Sequence, residues 1–226
     1  MHDTALEYGR LLLAHYWEPG FTRCVELGSL EVNGGLRGLA PANAHWLGLD
    51  MQPGPGVDLV VAPDASLPLA DAVADIALAS SVLEHDDAFW ETFGEMCRIT
   101  RPGGILYFNV PSNGPVHRYP RDCWRFYPDA APALAKWATR RGLPVQLLES
   151  FTAPRGADLW NDHVAVFRRG EAARPRGAPL SHARPAWNIW RHGAAGMTDR
   201  NDFTEDMMLL HHLRARVAEL EARLAG

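Results

Sequence analysis

The stretch Val25-Glu26-Leu27-Gly28-Ser29 decides the fold of this chain. In it, the apolar residues Val25 and Leu27 flank the acidic residue Glu26, and Gly28 follows. The glycine-rich segment Asn33-Gly34-Gly35 lies a few residues further on. This order is typical of the first strand of a ligand-binding α/β domain. Glycine lets the backbone approach a ligand closely because it has no Cβ atom. We therefore expect the strand to end at a ligand-binding loop.

A second short apolar run, Trp46-Leu47-Gly48-Leu49, ends in Asp50, twenty-two residues after Gly28. Nucleotide-binding α/β folds place an acidic residue about 20 positions after the first glycines, where it accepts hydrogen bonds from ribose hydroxyls. The spacing therefore predicts that Asp50 binds a ribose.

The chain up to Arg168 alternates between strand and helix patterns. Residues 75–80 form a nearly continuous apolar run, which is typical of a strand buried on both faces of a parallel sheet. We predict an α/β fold with a doubly wound, mostly parallel, seven-stranded sheet that binds ligands at the carboxyl ends of its strands. Strands are expected at about 23–28, 45–50, 57–61, 75–80, 105–110, 145–151 and 163–167, with helices at about 4–17, 87–101 and 129–141.

Two further segments are expected beyond this domain of residues 1–168. Residues 169–202 are rich in Pro, Gly and Arg and predict a linker. Residues 203–226 predict a helix with an apolar heptad seam, formed by Phe203, Leu210, Leu213, Val217, Leu220 and Leu224 and interrupted by Asp206. A lone helix cannot bury such a seam, so it is a candidate dimerisation element and we expect a homodimer.

The composition indicates one well-buried core with an appendage, because the 226 residues are 47% hydrophobic and 22% charged. No run approaches the roughly 18 to 20 apolar residues that a membrane helix needs, and the apolar residues 11–14 are too few for a secretory leader. We expect a cytoplasmic protein that binds no membrane. Cys24, Cys97 and Cys123 lack CxxC spacing and a Cys/His ligand set, so we interpret them as reduced, non-catalytic thiols.

The formal net charge of −5 is unevenly distributed. Residues 168–200 hold seven arginines and two acidic residues, so that segment carries +5 and the rest of the chain −10. A basic segment on an acidic body could bind nucleic acid. However, nucleic-acid footprints usually cover a face, and these arginines have no regular spacing. We expect them to contact the protein's own domain or a partner protein, and we expect no nucleic-acid partner.

Five motifs resemble, in order and spacing, those of class I S-adenosylmethionine-dependent methyltransferases of the methyltransferase type 11-like group. They are VELGS, LGLD, APDASLPLAD, SSVLEH and RITRPGGILYFNVP, within about residues 22–168. The group often accompanies enzymes of glycan and natural-product biosynthesis. The resemblance implies an S-adenosylmethionine site in which Glu26 and Gly28 line the methionine end, Asp50 binds the ribose, Asp64 and Ala65 meet the adenine, Ser80 lies beneath the sulfonium, and Ser29, Asn33 and Met51 add further contacts.

One departure concerns the glycine-rich motif, which in the family has further glycines two and four residues after the first. Here those positions hold Leu30 and Val32. We expect a locally different cofactor loop, in which Asn33-Gly34-Gly35 provides the close backbone approach. The missing second glycine also argues against the alternative of a nicotinamide-dependent oxidoreductase, because the dinucleotide pyrophosphate approaches at that glycine.

Residues 111–128 follow the predicted fifth strand, where this fold places acceptor-binding residues. Their H-x-Y-P-x-D-x-W-R pattern is similar to one that recurs in the family. We predict that His117 is the general base and that Asp122 orients it or binds the acceptor. Acceptor-binding side chains are predicted at Tyr119, Trp124 and Arg125. The alternative is structural: the aromatic side chains cover the sheet edge, and Asp122 pairs with an arginine.

His85, which ends the SSVLEH motif, is a second candidate for the catalytic site, either lining the cofactor pocket or acting as the base. His163 begins the last predicted strand, and we expect it to be structural. A Mg²⁺ site built from Asp86, Asp87 and Asp162 is an alternative that their spacing does not support, so no metal site is predicted.

These features together predict an O-methyltransferase. An alcohol must lose a proton as it attacks the methyl group, and a histidine with a pKa near 6.5 suits that task at neutral pH. The aromatic and arginine content of the acceptor loop favours a saccharide or another polyhydroxylated small molecule. The alternatives are a non-catalytic subunit with the same fold and a nucleic-acid methyltransferase, although no N/D-P-P-Y/F motif follows the fourth predicted strand.

Overall fold

The computed structural model describes residues 3–63, 66–156, 159–170 and 177–225. These residues form one sheet with helices on both faces. The helices are α1 (Asp3–Tyr16), α2 (Phe89–Ile99), α3 (Ala130–Arg140) and α4 (Glu205–Ala225), with 3₁₀ turns at Arg37–Leu39 and Leu180–His182. The strands are β1 (Arg23–Leu27), β2 (His45–Asp50), β3 (Leu59–Val60), β4 (Ala74–Ser80), β5 (Thr100–Pro111), β6 (Val145–Thr152), β7 (Asp162–Arg169) and β8 (Trp187–Arg191).

The strand order is β3-β2-β1-β4-β5-β7-β6-β8. Strands β1 to β5 pair in parallel, whereas β7 runs antiparallel to both β5 and β6, and β8 runs antiparallel to β6. The carboxyl ends of β1, β2, β4, β5 and β6 therefore meet at one edge of the sheet. The predicted α/β fold with a doubly wound, mostly parallel sheet is confirmed. Such sheets bind ligands at this carboxyl edge.

An eighth strand lies in the segment expected to be a linker. β8 pairs with the outer edge of β6, and Ile189 within it bridges to Thr198. Ile189 is buried, so the strand contributes to the core. Five residues surrounded by Pro, Gly and Arg give too short a pattern to stand out in the sequence. The sheet thus has eight strands rather than seven, while the domain boundaries at 168 and 202 stay a prediction.

A buried carboxylate ties this segment to the body of the protein. Glu149 in β6 accepts hydrogen bonds from the Tyr16 hydroxyl (2.6 Å) and from the Leu180 N–H (2.6 Å). It also accepts the Ser181 N–H (3.1 Å) and hydroxyl (2.8 Å). Four donors satisfy this buried carboxyl group, as burial of a charge requires. The Leu180–His182 turn therefore packs beside α1 on one face of the sheet.

The core consists of two layers, one on each face of the sheet. On the face covered by α2 and α3, Phe93 packs against Phe108 and Phe167 with ring centroids 6.4 and 5.1 Å apart. On the α1 face, Leu12 and Tyr107 are fully buried. Neighbouring residues of a strand point to opposite faces, so β5 supplies both layers through Tyr107 and Phe108.

Helix α4 begins at Glu205, so Phe203, predicted as the first residue of the heptad seam, precedes the helix. The helix leaves the domain after its first turn, and its side chains from 206 to 224 are exposed. The first turn is fastened to the carboxyl edge of the sheet. Glu205 accepts hydrogen bonds from the Arg155 N–H (3.2 Å) and the Asn161 amide, and Asp206 pairs with the Arg155 guanidinium (2.5 Å). Within the described residues, no helix is both long and apolar enough to cross a membrane.

Candidate active site

The loop after β1 turns sharply at Gly28. Its φ of +71° lies in the left-handed region, and a Cβ atom there would collide with Val82 Cγ2. The Leu49 carbonyl at the end of β2 accepts hydrogen bonds from the N–H groups of Gly28 (2.8 Å) and Ser29 (3.1 Å). Glycine is therefore required at this position on both conformational and steric grounds.

The Asp50 carboxylate is held at the end of β2 by backbone donors. Its Oδ2 accepts the Leu30 N–H and its Oδ1 accepts the Gln52 N–H, each at 3.1 Å. A carboxylate has about four acceptor sites, so these two bonds orient Asp50 without exhausting its capacity to accept hydroxyl donors. This geometry fits the ribose-binding role predicted for it.

The loop after β1, which lacks the family's further glycines, packs against the turn at residues 53–56. Glu31 N–H donates to the Pro55 carbonyl (2.9 Å). A Cβ atom at Gly54 would collide with the Leu30 side chain, and one at Gly56 would collide with the Ser29 carbonyl. Glycines in the facing turn therefore let this turn pack closely against the loop after β1. Sequence reasoning missed this contact, although it predicted a turn at Pro53-Gly54-Pro55-Gly56.

Two buried hydroxyls at this edge, Ser29 Oγ and Ser80 Oγ, have no hydrogen-bond partner among the described residues. Glu26 is also buried, and burial raises the pKa of its carboxyl to about 7 although Trp46 Nε1–H donates to it (2.8 Å). Unsatisfied buried polar groups need an explanation, and a polar ligand at this edge provides one. The residues present therefore fit the cofactor that the motifs imply.

Other predicted cofactor contacts are more exposed or lie outside the described residues. Asn33 and Met51 are exposed on the loops after β1 and β2. Asp64 and Ala65, the predicted adenine contacts, fall outside the part of the chain that the structure describes. Their roles stay predictions.

The two candidate catalytic histidines lie together at the ends of β4 and β5. The rings of His85 and His117 are edge to face, with centroids 4.9 Å apart. His85 Nδ1–H donates to the Arg121 carbonyl, which leaves Nε2 as the basic nitrogen, 3.6 Å from Glu84 Oε1. Both proposed bases are thus in one cluster.

Glu84 is a residue that sequence reasoning missed, although it precedes His85 in the SSVLEH motif. It is 1% exposed, and its Oε2 has no hydrogen-bond partner in the described ranges. Burial raises the pKa of its carboxyl to about 8, so the group is largely protonated at neutral pH. Its backbone carbonyl accepts the N–H groups of Cys123 (2.7 Å) and Trp124 (3.1 Å), which anchors the acceptor loop.

Ligand atoms of Glu84, His85 and His117 lie within 4.8 Å of one another, so this group could hold a metal ion. The alternative trio of Asp86, Asp87 and Asp162 forms no such group within the described residues. Asp86 accepts the Ala88 N–H (2.8 Å) at the start of α2, and Asp87 pairs with Arg121.

Asp122 organises the acceptor loop through Arg125. The guanidinium donates to both carboxylate oxygens (2.5 and 2.7 Å), and the His117 N–H donates to Oδ2 (2.7 Å). The paired arginine lowers the pKa of the Asp122 carboxyl to about 2. His117 Nδ1 lies 3.4 Å from Asp122 Oδ2. This arrangement agrees with the structural alternative for Asp122 and also leaves a carboxylate beside His117.

The aromatic residues of the loop divide into packed and open positions. Trp124 donates from Nε1 to the Asp86 carbonyl (2.7 Å) and packs on Phe89, with centroids 5.4 Å apart. Tyr119 is 57% exposed. Trp160, which the sequence did not single out, lies 4.9 Å from the His117 ring.

His163 lies apart from the catalytic cluster, in β7. It is fully buried, and burial lowers the pKa of its imidazole to about 4. A neutral buried histidine is consistent with the structural role expected for it.

Comparison with known proteins establishes the family. Residues 30–108 match the family model described as a methyltransferase domain. A Mycobacterium ulcerans protein described as an uncharacterized methyltransferase is 33% identical over 205 residues, covering 82% of this chain and 76% of that protein. A similar Mycobacterium bovis protein is 34% identical over 120 residues, and the match spans just under half of it, 45%. The chain belongs to the class I S-adenosylmethionine-dependent methyltransferases.

Solved structures share the fold at low sequence identity. The Burkholderia thailandensis 1,6-didemethyltoxoflavin-N1-methyltransferase, with bound 1,6-didemethyltoxoflavin and S-adenosylhomocysteine, superposes with a TM-score of 0.56 and 19% identity over 75% of this chain and 80% of that one. The [4+2]-cyclase SpnF superposes with a TM-score of 0.53 and 17% identity over 74% and 82%. The family's methyl donor, S-adenosylmethionine, fits the edge formed by β1, β2 and β4.

Proposed function

We propose that this protein transfers a methyl group from S-adenosylmethionine to a hydroxyl of a saccharide or another polyhydroxylated small molecule. The observation that carries the proposal is the cluster of His85 and His117 in the loops after β4 and β5, at the edge that also carries the predicted cofactor residues. A methyl sulfonium is a strong electrophile. The protein therefore has to align a nucleophile with it and remove the nucleophile's proton.

His117 is the proposed base. Its Nδ1 lies 3.4 Å from Asp122 Oδ2 and 3.5 Å from Arg125 Nη2. In the proposed mechanism Nδ1 carries the proton of the neutral ring and directs it to Asp122. Nε2 then accepts the acceptor's hydroxyl proton, and the carboxylate stabilises the resulting imidazolium. Its side chain is 24% exposed, compared with 12% for His85, so it is the more open of the two. His85 is assigned to the pocket wall beside Glu84.

The acceptor is proposed to lie against the loop that carries these groups. Tyr119 and Trp160 offer apolar faces near His117 for the C–H face of a sugar ring. The Burkholderia thailandensis enzyme binds a small-molecule acceptor on the same fold, which is compatible with an acceptor of that size. Arg125 is occupied by Asp122 and the Pro115 carbonyl (2.7 Å), so its contribution to acceptor binding is to hold the loop.

A screen of methyl acceptors that detects S-adenosylhomocysteine release tests this function. Sugars, glycosides and polyols should include a substrate, and the product should carry an O-methyl group by mass spectrometry and NMR. Exclusive N- or C-methylation would overturn the acceptor assignment. Turnover with any acceptor would exclude the non-catalytic subunit. Binding of NAD in competition with S-adenosylhomocysteine would revive the oxidoreductase alternative.

We also propose that the protein is a homodimer joined through α4. Apolar side chains at heptad spacing are exposed along the helix, including Leu213 and Leu220, which are 51% and 42% exposed. In a parallel two-stranded coiled coil, the g position of Arg216 faces the e position of Glu221 on the other helix, so the charges are complementary.

Cytoplasmic location likewise stays a prediction, testable by cell fractionation.

A further inference from the structure

A second cleft, of about 440 Å³, lies on the same edge of the sheet, beyond the histidine cluster. The ends of β5 and β6, the start of β8 and the chain leading into α4 form its walls. It therefore depends on the segment that follows residue 177, outside the part of the chain that matches the methyltransferase family model. We call it the tail cleft.

The walls of the tail cleft carry four aromatic side chains, Tyr127, Trp187, Trp190 and Phe203. Tyr127 and Phe203 are 63% and 46% exposed. The Phe203 ring packs on His211 with centroids 5.4 Å apart, and the exposed parts of both rings are open to a ligand. Aromatic rings bury apolar area with little loss of conformational freedom and can keep a polar tip hydrated. The C–H faces of sugar rings pack on such surfaces, while their hydroxyls need hydrogen-bond partners at the edges.

Two buried polar atoms of residues that line the cleft are candidates for those partners. Thr152 is 5% exposed, and neither its Oγ1 nor Trp190 Nε1 has a hydrogen-bond partner among the described residues. Buried polar groups in folded proteins are normally satisfied by protein, water or ligand. The Thr152 hydroxyl can donate and accept a hydrogen bond, and the Trp190 indole N–H can donate one. These two groups therefore favour a ligand that both donates and accepts hydrogen bonds.

The charged side chains of the cleft indicate whether the ligand is neutral or anionic. Asp129, Asp202 and Glu205 line it together with Arg200, which pairs with Asp202 (2.7 Å). The Arg155 guanidinium lies 3.9 Å from Glu205 but is not part of the lining. The excess of carboxylates disfavours an anionic ligand such as a uronic acid or a phosphate. An uncharged saccharide satisfies both the aromatic faces and the negative walls.

The tail cleft is continuous with the proposed acceptor loop. Ser112 lines the cleft just after the start of that loop, and Tyr127 lines it near the loop's end. Between cleft and catalytic cluster, Asn113 and Asn161 exchange two hydrogen bonds of 2.7 Å, and Trp160 packs beside His117. A linear ligand lying along this edge can therefore reach both places.

We propose that the tail cleft is a subsite for a neutral saccharide, which holds the sugar units next to the one that is methylated. Its place in catalysis rests on the proposed function, whereas saccharide binding in the cleft does not. The acceptor class is thereby narrowed from a small polyol to an oligosaccharide or a glycan end.

Binding of the full-length protein to a printed array of neutral and acidic oligosaccharides tests the subsite. We expect neutral oligosaccharides to bind, and the best of them to bind at least tenfold more weakly to the variant with Tyr127→Ala and Phe203→Ala. Leu39→Ala removes a side chain of similar exposure, 40%, in the 3₁₀ turn between β1 and β2, which is not part of the cleft lining, and should leave binding unchanged. No binding on the array, binding confined to acidic glycans, or equal affinity in the double variant would overturn the proposal.

Methyl transfer separates this proposal from the proposed function. With the array's best oligosaccharide as acceptor, the double variant should raise KM at least tenfold, with kcat and the KM for S-adenosylmethionine nearly unchanged. If wild type and double variant methylated a saccharide with the same KM, the subsite would be refuted and the proposed function would be retained. Saccharide binding that depends on the cleft, with no methylation of any hydroxyl, would support the subsite and refute the proposed function.

Discussion

The rings of His85 and His117 meet edge to face, with centroids 4.9 Å apart, although one residue follows β4 and the other lies in the loop after β5. His85 is oriented by a backbone carbonyl, that of Arg121, and His117 lies beside the carboxylate of Asp122. The two imidazoles thus have different surroundings. His117, beside the carboxylate, is the proposed base, and His85, held by the carbonyl, is assigned to the pocket wall.

The first prediction concerns the base. His117→Ala should lower turnover by about 10² to 10⁴, because general-base assistance is typically worth that much. Affinity for S-adenosylhomocysteine should stay nearly unchanged. Asp122→Asn should cause a smaller loss of turnover, since it removes the charge that stabilises the imidazolium. Steady-state kinetics and calorimetry measure the two quantities.

Two histidine variants serve as controls for this assignment. His85→Ala should weaken cofactor binding along with any loss of rate, because His85 is assigned to the pocket wall. His212→Ala, at an exposed position of α4, should change neither quantity. Normal turnover in His117→Ala, together with a loss in His85→Ala at unchanged cofactor affinity, would move the base to His85.

A second prediction concerns the ribose. Asp50→Ala should weaken S-adenosylhomocysteine binding by roughly tenfold to a hundredfold, because a hydrogen bond to a charged group contributes about 1.5 to 3 kcal/mol. Asp71→Ala is the matched control, since that carboxylate is 78% exposed, pairs with Arg98 and lies before β4, at the opposite edge of the sheet. Calorimetry giving equal affinity for wild type and Asp50→Ala would refute the ribose assignment.

Most of the sheet could be predicted because each of the first seven strands shows an apolar pattern between turn residues. Two features escaped. β8 is short and surrounded by Pro, Gly and Arg, so it is recognisable only through its pairing with β6. β5 begins at Thr100 rather than near Ile105, because Thr100 already pairs with Ala74 of β4 before a register shift. Both features depend on tertiary pairing, which local patterns do not contain.

The sequence predicted individual residues of the candidate site but not which of them lie close together. The sequence nominated His85 and His117 separately, and only the sheet order brings their loops together. Glu84 escaped because a glutamate after an apolar run is ordinarily exposed, whereas here it is 1% exposed. The contact between the 53–56 turn and the loop after β1 was not predicted, because local patterns do not show which loops pack together.

A third prediction follows from the buried carboxyl group of Glu84. Its pKa is raised from 4.5 to about 8, so the folded state holds its proton more tightly than the unfolded state. Stability from this group is complete below about pH 4.5 and is lost as the pH rises through about 8. Glu84→Gln cannot ionise and should be more stable than wild type at pH 8.5 by about 1 to 3 kcal/mol relative to their difference at pH 5.

Denaturant unfolding at several pH values checks this, with Glu26 as the companion. Its pKa, raised to about 7, gives a stability loss of the same sign at lower pH. Wild type should lose stability between pH 5 and 8.5, Glu84→Gln and Glu26→Gln should each lose less, and the double variant least. Parallel curves for all four proteins would show that neither carboxyl is protonated in the folded state.

The last prediction concerns α4, whose first turn is held by Arg155 and Asn161 while the rest of the helix is exposed. Three heptads are marginal for an isolated helix pair, so we expect two carboxylates placed in the seam to disrupt the dimer. Leu213→Glu with Leu220→Glu should give a monomer by light scattering. Ala215→Glu with Ala222→Glu adds the same charge at two f positions, away from the seam, and should leave a dimer. Because the anchored first turn is untouched in both variants, cofactor affinity should match wild type. A monomeric wild-type chain would exclude dimerisation through α4, and a dimer that survives both pairs of substitutions would place the interface on another surface.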